Sequence, residues 1–130
     1  MSLDIRDLSK KYGENSILEN INITLKKGEL ISLVGPSGSG KSTLLKCISG
    51  MCNIDSGEIQ INSKAIQNLE ANQRNIGYMF QESPLFPHLT AIENILFNMS
   101  VYDESKLSFL LNKMQIKHLN ERYPHEISGG

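Results

Sequence analysis

Eight residues of this 130-residue chain, Gly35-Pro36-Ser37-Gly38-Ser39-Gly40-Lys41-Ser42, satisfy the pattern G-x-x-x-x-G-K-[ST]. Gly35, Gly38 and Gly40 permit backbone angles and close approaches that a side chain would block. The N–H groups of such a loop can surround phosphate oxygens. A helix that begins at its end adds the positive pole of its dipole. Lys41 brings a positive charge to the outer phosphates, and the Ser42 hydroxyl can ligate Mg²⁺. Thr43 supplies a phosphate contact or a helix hydrogen bond. The expected ligand is a nucleotide, ATP, with Mg²⁺ as its companion ion. The bland alternative is a glycine-rich turn with a surface lysine, which the surrounding elements argue against.

Those elements must present the loop. Leu3 and Ile5 alternate, and Ile21, Ile23 and Leu25 alternate with Asn22 and Thr24, the period of a strand with one wet face. Lys27-Gly28 marks a turn. Leu30-Ile31-Ser32-Leu33-Val34 is nearly all apolar, as a strand buried on both faces of a parallel sheet should be. After the loop, Leu44, Leu45 and Ile48 predict a helical stripe that Gly50 stops. Short strands are expected at 57–61 and 76–80. Strand, glycine loop and helix are the context that a phosphate loop requires. Beyond residue 81 the character changes. Thr90-Ala91-Ile92-Glu93 reads as a capping box before a helix with Ile92, Ile95, Leu96 and Met99 on one side. Asp103 caps a second, with Leu107, Leu110, Leu111 and Met114 at helical spacing.

Composition narrows the classes. Thirteen basic residues stand against fourteen acidic ones, so no clustered basic surface speaks for nucleic acid. The N-terminus lacks a basic start followed by an apolar run, and no run has the length of a membrane span. A soluble, cytosolic chain is expected. Cys47 and Cys52 fit none of the usual metal or redox spacings and read as two reduced thiols, one packed on a helix.

Together these residues resemble the nucleotide-binding subunits of ABC transporters. The loop GPSGSGKST has that family's form. Ile76-Gly77-Tyr78-Met79-Phe80-Gln81 looks like the strand that ends in its Q-loop glutamine. Pro84–Thr90 and Glu93-Asn94-Ile95 resemble the start of its helical subdomain. Tyr123–Gly130 looks like the approach to its signature motif LSGGQ, with Ile127 in place of leucine. Tyr12, before Gly13, sits where the family places an adenine-stacking aromatic.

The resemblance implies an ABC-type P-loop α/β fold. Residues 1–81 would hold N-terminal antiparallel strands plus part of a parallel core sheet, and residues 82–130 the Q-loop and the start of a helical subdomain. It implies that Tyr12 stacks on adenine and that Gln81 approaches Mg²⁺ and the attacking water. Ser128, Gly129 and Gly130 would close over the γ-phosphate held by a second ATP-binding subunit in a head-to-tail dimer. Pro84–Thr90 would face membrane-spanning subunits on the cytoplasmic side of the membrane. No role follows for His88, His118 or His125. The sequence stops inside the signature motif, before the family's Walker B aspartate, catalytic glutamate and switch histidine. No residue present, Glu82 included, can be nominated as general base, so the central strand and the chemistry are both expected to be incomplete. The implied function is energy coupling by ATP hydrolysis, in the manner of importers of small solutes such as polyamines and inorganic ions. A non-hydrolysing nucleotide-binding remnant or inert fragment is the alternative; a small P-loop kinase leaves Gln81 and Ser128–Gly130 unexplained.

Overall fold

The computed structural model describes residues 2–81, 85–97 and 103–127. The chain forms two compact units, Met1–Tyr78 and Met79–Gly130. In the first, strands β1 (Leu3–Tyr12) and β2 (Asn15–Leu25) form a hairpin, followed by helix α1 (Lys41–Ser49) and strands β3 (Ser56–Ile61) and β4 (Lys64–Ala65). The sheet order is β2-β1-β3-β4 and every pairing is antiparallel. Alternation puts Leu3 opposite Leu25, Ile5 opposite Ile23 and Leu8 opposite Ile21, so apolar side chains share one face. Ile5, Leu8, Leu18, Ile59 and Ile61 bury that face together with Leu44 and Cys47 of α1. Cys47, rather than Leu45, completes the inner stripe of the helix. It is fully buried, whereas Leu45 is 45% exposed.

Helix α1 has nine residues, too short to be stable in isolation, and it is fixed at both ends. At its N-terminus Gly40 has φ 85°. A Cβ there would lie 2.8 Å from Leu18 Cδ2 and 2.9 Å from the Ile17 carbonyl oxygen. Only a residue without a side chain lets the helix start this close to β2. At its C-terminus Gly50 is also left-handed, with φ 85°, and its amide donates to the Cys47 carbonyl. Here a Cβ would meet Arg74 Nε at 2.7 Å. The Arg74 side chain is buried. Its guanidinium donates to four carbonyls: Cys47 at 2.7 Å and Ile48 at 3.1 Å, both in the last turn of α1, Leu69 at 2.9 Å and Gln67 at 3.0 Å. A cation at the negative end of a helix dipole is favourable, and the fork satisfies carbonyls that the helix leaves open. Burial pulls the Arg74 pKa below the usual arginine value, yet a guanidinium stays charged in proteins.

The second unit contains α2 (Ala91–Leu96) and α3 (Glu104–Lys113). The expected capping box opens α2: Thr90 Oγ1 accepts from the Glu93 amide, and the Glu93 carboxylate accepts from the Thr90 amide at 2.7 Å. Asn94 holds the preceding loop. Its Oδ1 accepts from the Phe86 amide at 2.8 Å, and its Nδ2 donates to the carbonyls of Phe86, Leu89 and Thr90. Asp103 caps α3 as expected. Leu107 and Leu111 are buried, while Leu110 and Met114 point outward.

Two segments read as strands are not strands. Residues 30–34 and 76–80 carry no strand assignment, and Leu30 and Val34 are 98% and 90% exposed. No parallel ladder occurs among the described residues. A strand is defined by pairing, and the apolar run 30–34 finds no ladder partner among the described residues. Glu82, Pro84 and Met99 lie outside the described residues.

Two stability predictions follow from the ends of α1. Arg74→Met should lower the unfolding free energy by about 3 kcal/mol, because buried carbonyls lose a charged donor. Arg74→Lys should recover only part of it, since an ammonium cannot span the same fork. A shift of less than about 1 kcal/mol in urea denaturation would contradict the clasp. Gly40→Ala and Gly38→Ala form the second test. Both positions have positive φ, at 85° and 82°, but nothing lies within 4 Å of a Cβ at Gly38. Gly38→Ala should cost about 1–2 kcal/mol of backbone strain. Gly40→Ala should cost more, and equal costs would mean that the contact with β2 carries no weight.

Candidate phosphate-binding site

The loop Gly35–Ser42 leads into the first turn of α1. The Lys41 ammonium turns back into the loop, where it donates to the Gly35 carbonyl at 2.9 Å, the Pro36 carbonyl at 2.6 Å and Ser39 Oγ at 3.1 Å. The Ser39 amide closes a turn onto the Pro36 carbonyl at 3.3 Å. The lysine is thus held at the centre of the loop by neutral acceptors. An oxyanion would satisfy it better than two carbonyls and a hydroxyl, because a hydrogen bond between charged partners is about twice as strong. Ser42 is exposed and Thr43 half-buried on the first turn.

The first amides of any helix lack intrahelical acceptors, and α1 and α2 treat this differently. In α2 all are used. Ala91 donates to the Arg122 carbonyl at 2.8 Å and Ile92 to the Asn120 carbonyl at 3.1 Å, while Glu93 and Asn94 donate to Thr90. In α1 the ladder begins with Leu44 donating to the Gly40 carbonyl at 2.8 Å. Among the described residues, the amides of Lys41, Ser42 and Thr43 find no acceptor, no side chain caps the end, and no acidic residue stands in the first turn. Three open amides, a helix dipole and a lysine therefore share one helix turn that holds no acidic residue. That arrangement suits a phosphate group.

Tyr12 ends β1 opposite Asn15. Its ring is about half exposed, and its hydroxyl is 3.4 Å from Cys52 Sγ. The Lys10 ammonium lies 5.6 Å from the ring centroid and pairs with Asp55 at 2.9 Å. Strand β2 links this ring to the loop. Asn15, opposite Tyr12, is three residues from Leu18, which touches the Gly40 position. Three strand residues span about 10 Å, the scale of the separation between a nucleotide's base and its phosphates. The first unit thus carries both Tyr12 and the loop Gly35–Thr43, linked through β2.

Gln81 is exposed at the start of the second unit. Ser128, Gly129 and Gly130 lie outside the described residues. Sequence reasoning missed Arg74, whose isolated position carries no signal of the carbonyls it meets. It also missed the contact between Tyr12 and Cys52, forty residues apart.

Comparison with known proteins identifies the family and the fold. The family model described as ABC transporter matches residues 18–130. The sulfate/thiosulfate import ATP-binding protein CysA of Synechocystis is 40% identical over 136 residues, which cover 100% of this chain and 38% of that protein. The CysA of Escherichia coli K12 is 36% identical, with 100% and 38% covered. The probable sulfate/thiosulfate import ATP-binding protein CysA of Chlorella vulgaris is 38% identical, with 100% and 58% covered. The chain thus spans between about two-fifths and three-fifths of the length of these relatives. Among solved structures, the dimeric post-hydrolysis state of the ATP-binding cassette MJ0796 bound to ADP and Pi superposes with a TM-score of 0.77 at 29% identity, covering 97% of this chain and 63% of that one. The cassette MJ1267 gives 0.78 at 26% identity, covering 98% and 59%. A likeness that starts from eight loop residues extends over nearly the whole sequence and its fold, and the chain belongs to the ABC transporter family.

Proposed function

We propose that this chain binds MgATP at Gly35–Thr43 and belongs to the energy-coupling ATPase subunit of a small-solute importer. The observation that carries the reading is the first turn of α1, whose amides are unpartnered around a lysine already turned into the loop. When phosphates bind, Lys41 exchanges its two carbonyl acceptors and Ser39 Oγ for β- and γ-phosphate oxygens. The amides of Lys41, Ser42 and Thr43 take the remaining oxygens. Tyr12 offers its ring to the adenine. The Ser42 hydroxyl makes no hydrogen bond among the described residues and stands on the same turn, so it suits Mg²⁺, a hard cation that accepts one protein oxygen beside phosphate oxygens and water. Bound there, the ion would neutralise charge on the outer phosphates and orient them for attack by water. Gln81 would complete that coordination and meet the attacking water. Ser128, Gly129 and Gly130 would serve the nucleotide of a second ATP-binding subunit in a head-to-tail dimer.

Leu85 and Phe86 are 46% and 40% exposed on a loop that Asn94 holds in place, as a surface for membrane-spanning subunits requires. The subunit would then work at the cytoplasmic face of the membrane. The relatives' names, sulfate and thiosulfate import ATP-binding proteins, favour import, with an inorganic oxyanion as the first cargo to test.

Two substitutions test the nucleotide site by titration with a fluorescent ATP analogue. Lys41→Ala should weaken binding about 10- to 100-fold through loss of a charge-assisted contact; equal affinity would refute the assignment. Tyr12→Phe should bind nearly as well as the parent, while Tyr12→Ala should lose about 1 kcal/mol. Equal weakening by both would show that the hydroxyl, not the ring, matters.

A further inference from the structure

Cys47 and Cys52 are both free thiols. Five residues of continuous helix advance about 7.5 Å, beyond the reach of a disulfide. The chain is not continuous helix here. Gly50 takes a left-handed conformation, and the amides of Met51 and Cys52 both donate to the Lys46 carbonyl, at 3.0 and 3.2 Å. The turn doubles Cys52 back on the last turn of α1, where it packs against the buried cluster that contains Cys47. The two are unlike. Cys47 is fully buried in the core and Cys52 is half-buried. Burial first, and then the Cys52 thiol beside it, pushes the Cys47 thiol up to about 11. Cys52 is therefore the sulfur that meets reagents, and Cys47 the one that resolves. On its outer side Cys52 Sγ touches the Tyr12 hydroxyl at 3.4 Å.

We propose that Cys47 and Cys52 are a reversible disulfide site, and that closing it withdraws Cys52 from Tyr12. The oxidant is a low-molecular-weight disulfide. Cys52 loses its proton to solvent and its sulfur attacks one sulfur of the oxidant. The oxidant's S–S bond breaks, and its first half leaves as a thiolate that takes up a proton. Cys47 then gives up its proton, and its sulfur displaces the second half from Cys52 by the same exchange. Two protein thiols are oxidised, one disulfide is reduced to two thiols, and two electrons are transferred. The new bond draws Cys52 inward, and the Tyr12 hydroxyl loses its partner. The effect on a bound base rests on the nucleotide reading above; the disulfide does not.

The test incubates the reduced chain with oxidised glutathione, alkylates what remains and measures intact mass and a peptide map. The expected result is a monomer lighter by two hydrogens, with no alkylated cysteine and a Cys47–Cys52 bridge. Cys47→Ser and Cys52→Ser should form no intrachain bridge. The chain has four tyrosines and no tryptophan, so tyrosine emission reports the second half of the proposal. It should change on oxidation of the parent and change less in Tyr12→Phe. A fluorescent ATP analogue should bind the oxidised chain about two- to tenfold more weakly, reversed by dithiothreitol. Two alkylated cysteines, a persistent glutathione adduct or a bridge between chains would overturn the disulfide. A bridge without a Tyr12-dependent change in emission would overturn the coupling. Failure of the reduced chain to bind the analogue would overturn the nucleotide reading alone, since mass decides the bridge.

Discussion

The phosphate loop depends on a contact that only a residue without a side chain permits. Gly40 seats the start of α1 against the Ile17 carbonyl and Leu18. Strand β2 is fixed by its hairpin with β1, and β1 by β3, so the sheet determines where the helix begins. Because the helix begins there, its free amides and Lys41 converge. A methyl group at this one position would separate the loop from the framework that aims it.

The two ends of α1 divide the work. Its C-terminus is saturated by Gly50 and Arg74, which answer its carbonyls from within the fold. Its N-terminus is left open. In α2, by contrast, the fold satisfies the N-terminal amides through Thr90 and the carbonyls of Asn120 and Arg122. The same backbone end is structural in one helix and receptive in the other, and the difference is whether the chain supplies oxygen or leaves that to a ligand. Anchoring the far end of α1 with a buried cation keeps the helix from yielding when charge arrives at the near end.

What the sequence revealed follows from the range of the forces involved. Alternation in Leu3–Ile5 and Ile21–Leu25, the glycine stop at Gly50, and the caps at Thr90 and Asp103 are local rules, and each stands in the structure. The loop was legible because its chemistry lies within eight consecutive residues. Leu30–Val34 has the composition of a buried strand, but composition records burial and not the partner that creates it. Arg74 was invisible because its acceptors are backbone carbonyls, which no sequence pattern marks. Leu45 was misplaced because Cys47 filled the inner face of α1 that a more apolar residue was expected to take.

The apolar segment Leu30–Val34 also bears on how copies of the chain behave toward one another. The hairpin of β1 and β2 closes through a two-residue turn at Gly13-Glu14. Residues 30–34 follow it, with Leu30 and Val34 exposed. Apolar segments that find no ladder partner, as this one finds none among the described residues, invite association between chains. Lys26, Lys27 and Glu29 directly precede it, and charges in that place act as gatekeepers against such association. The segment that feeds the nucleotide loop is thus also the one at which two chains would first adhere.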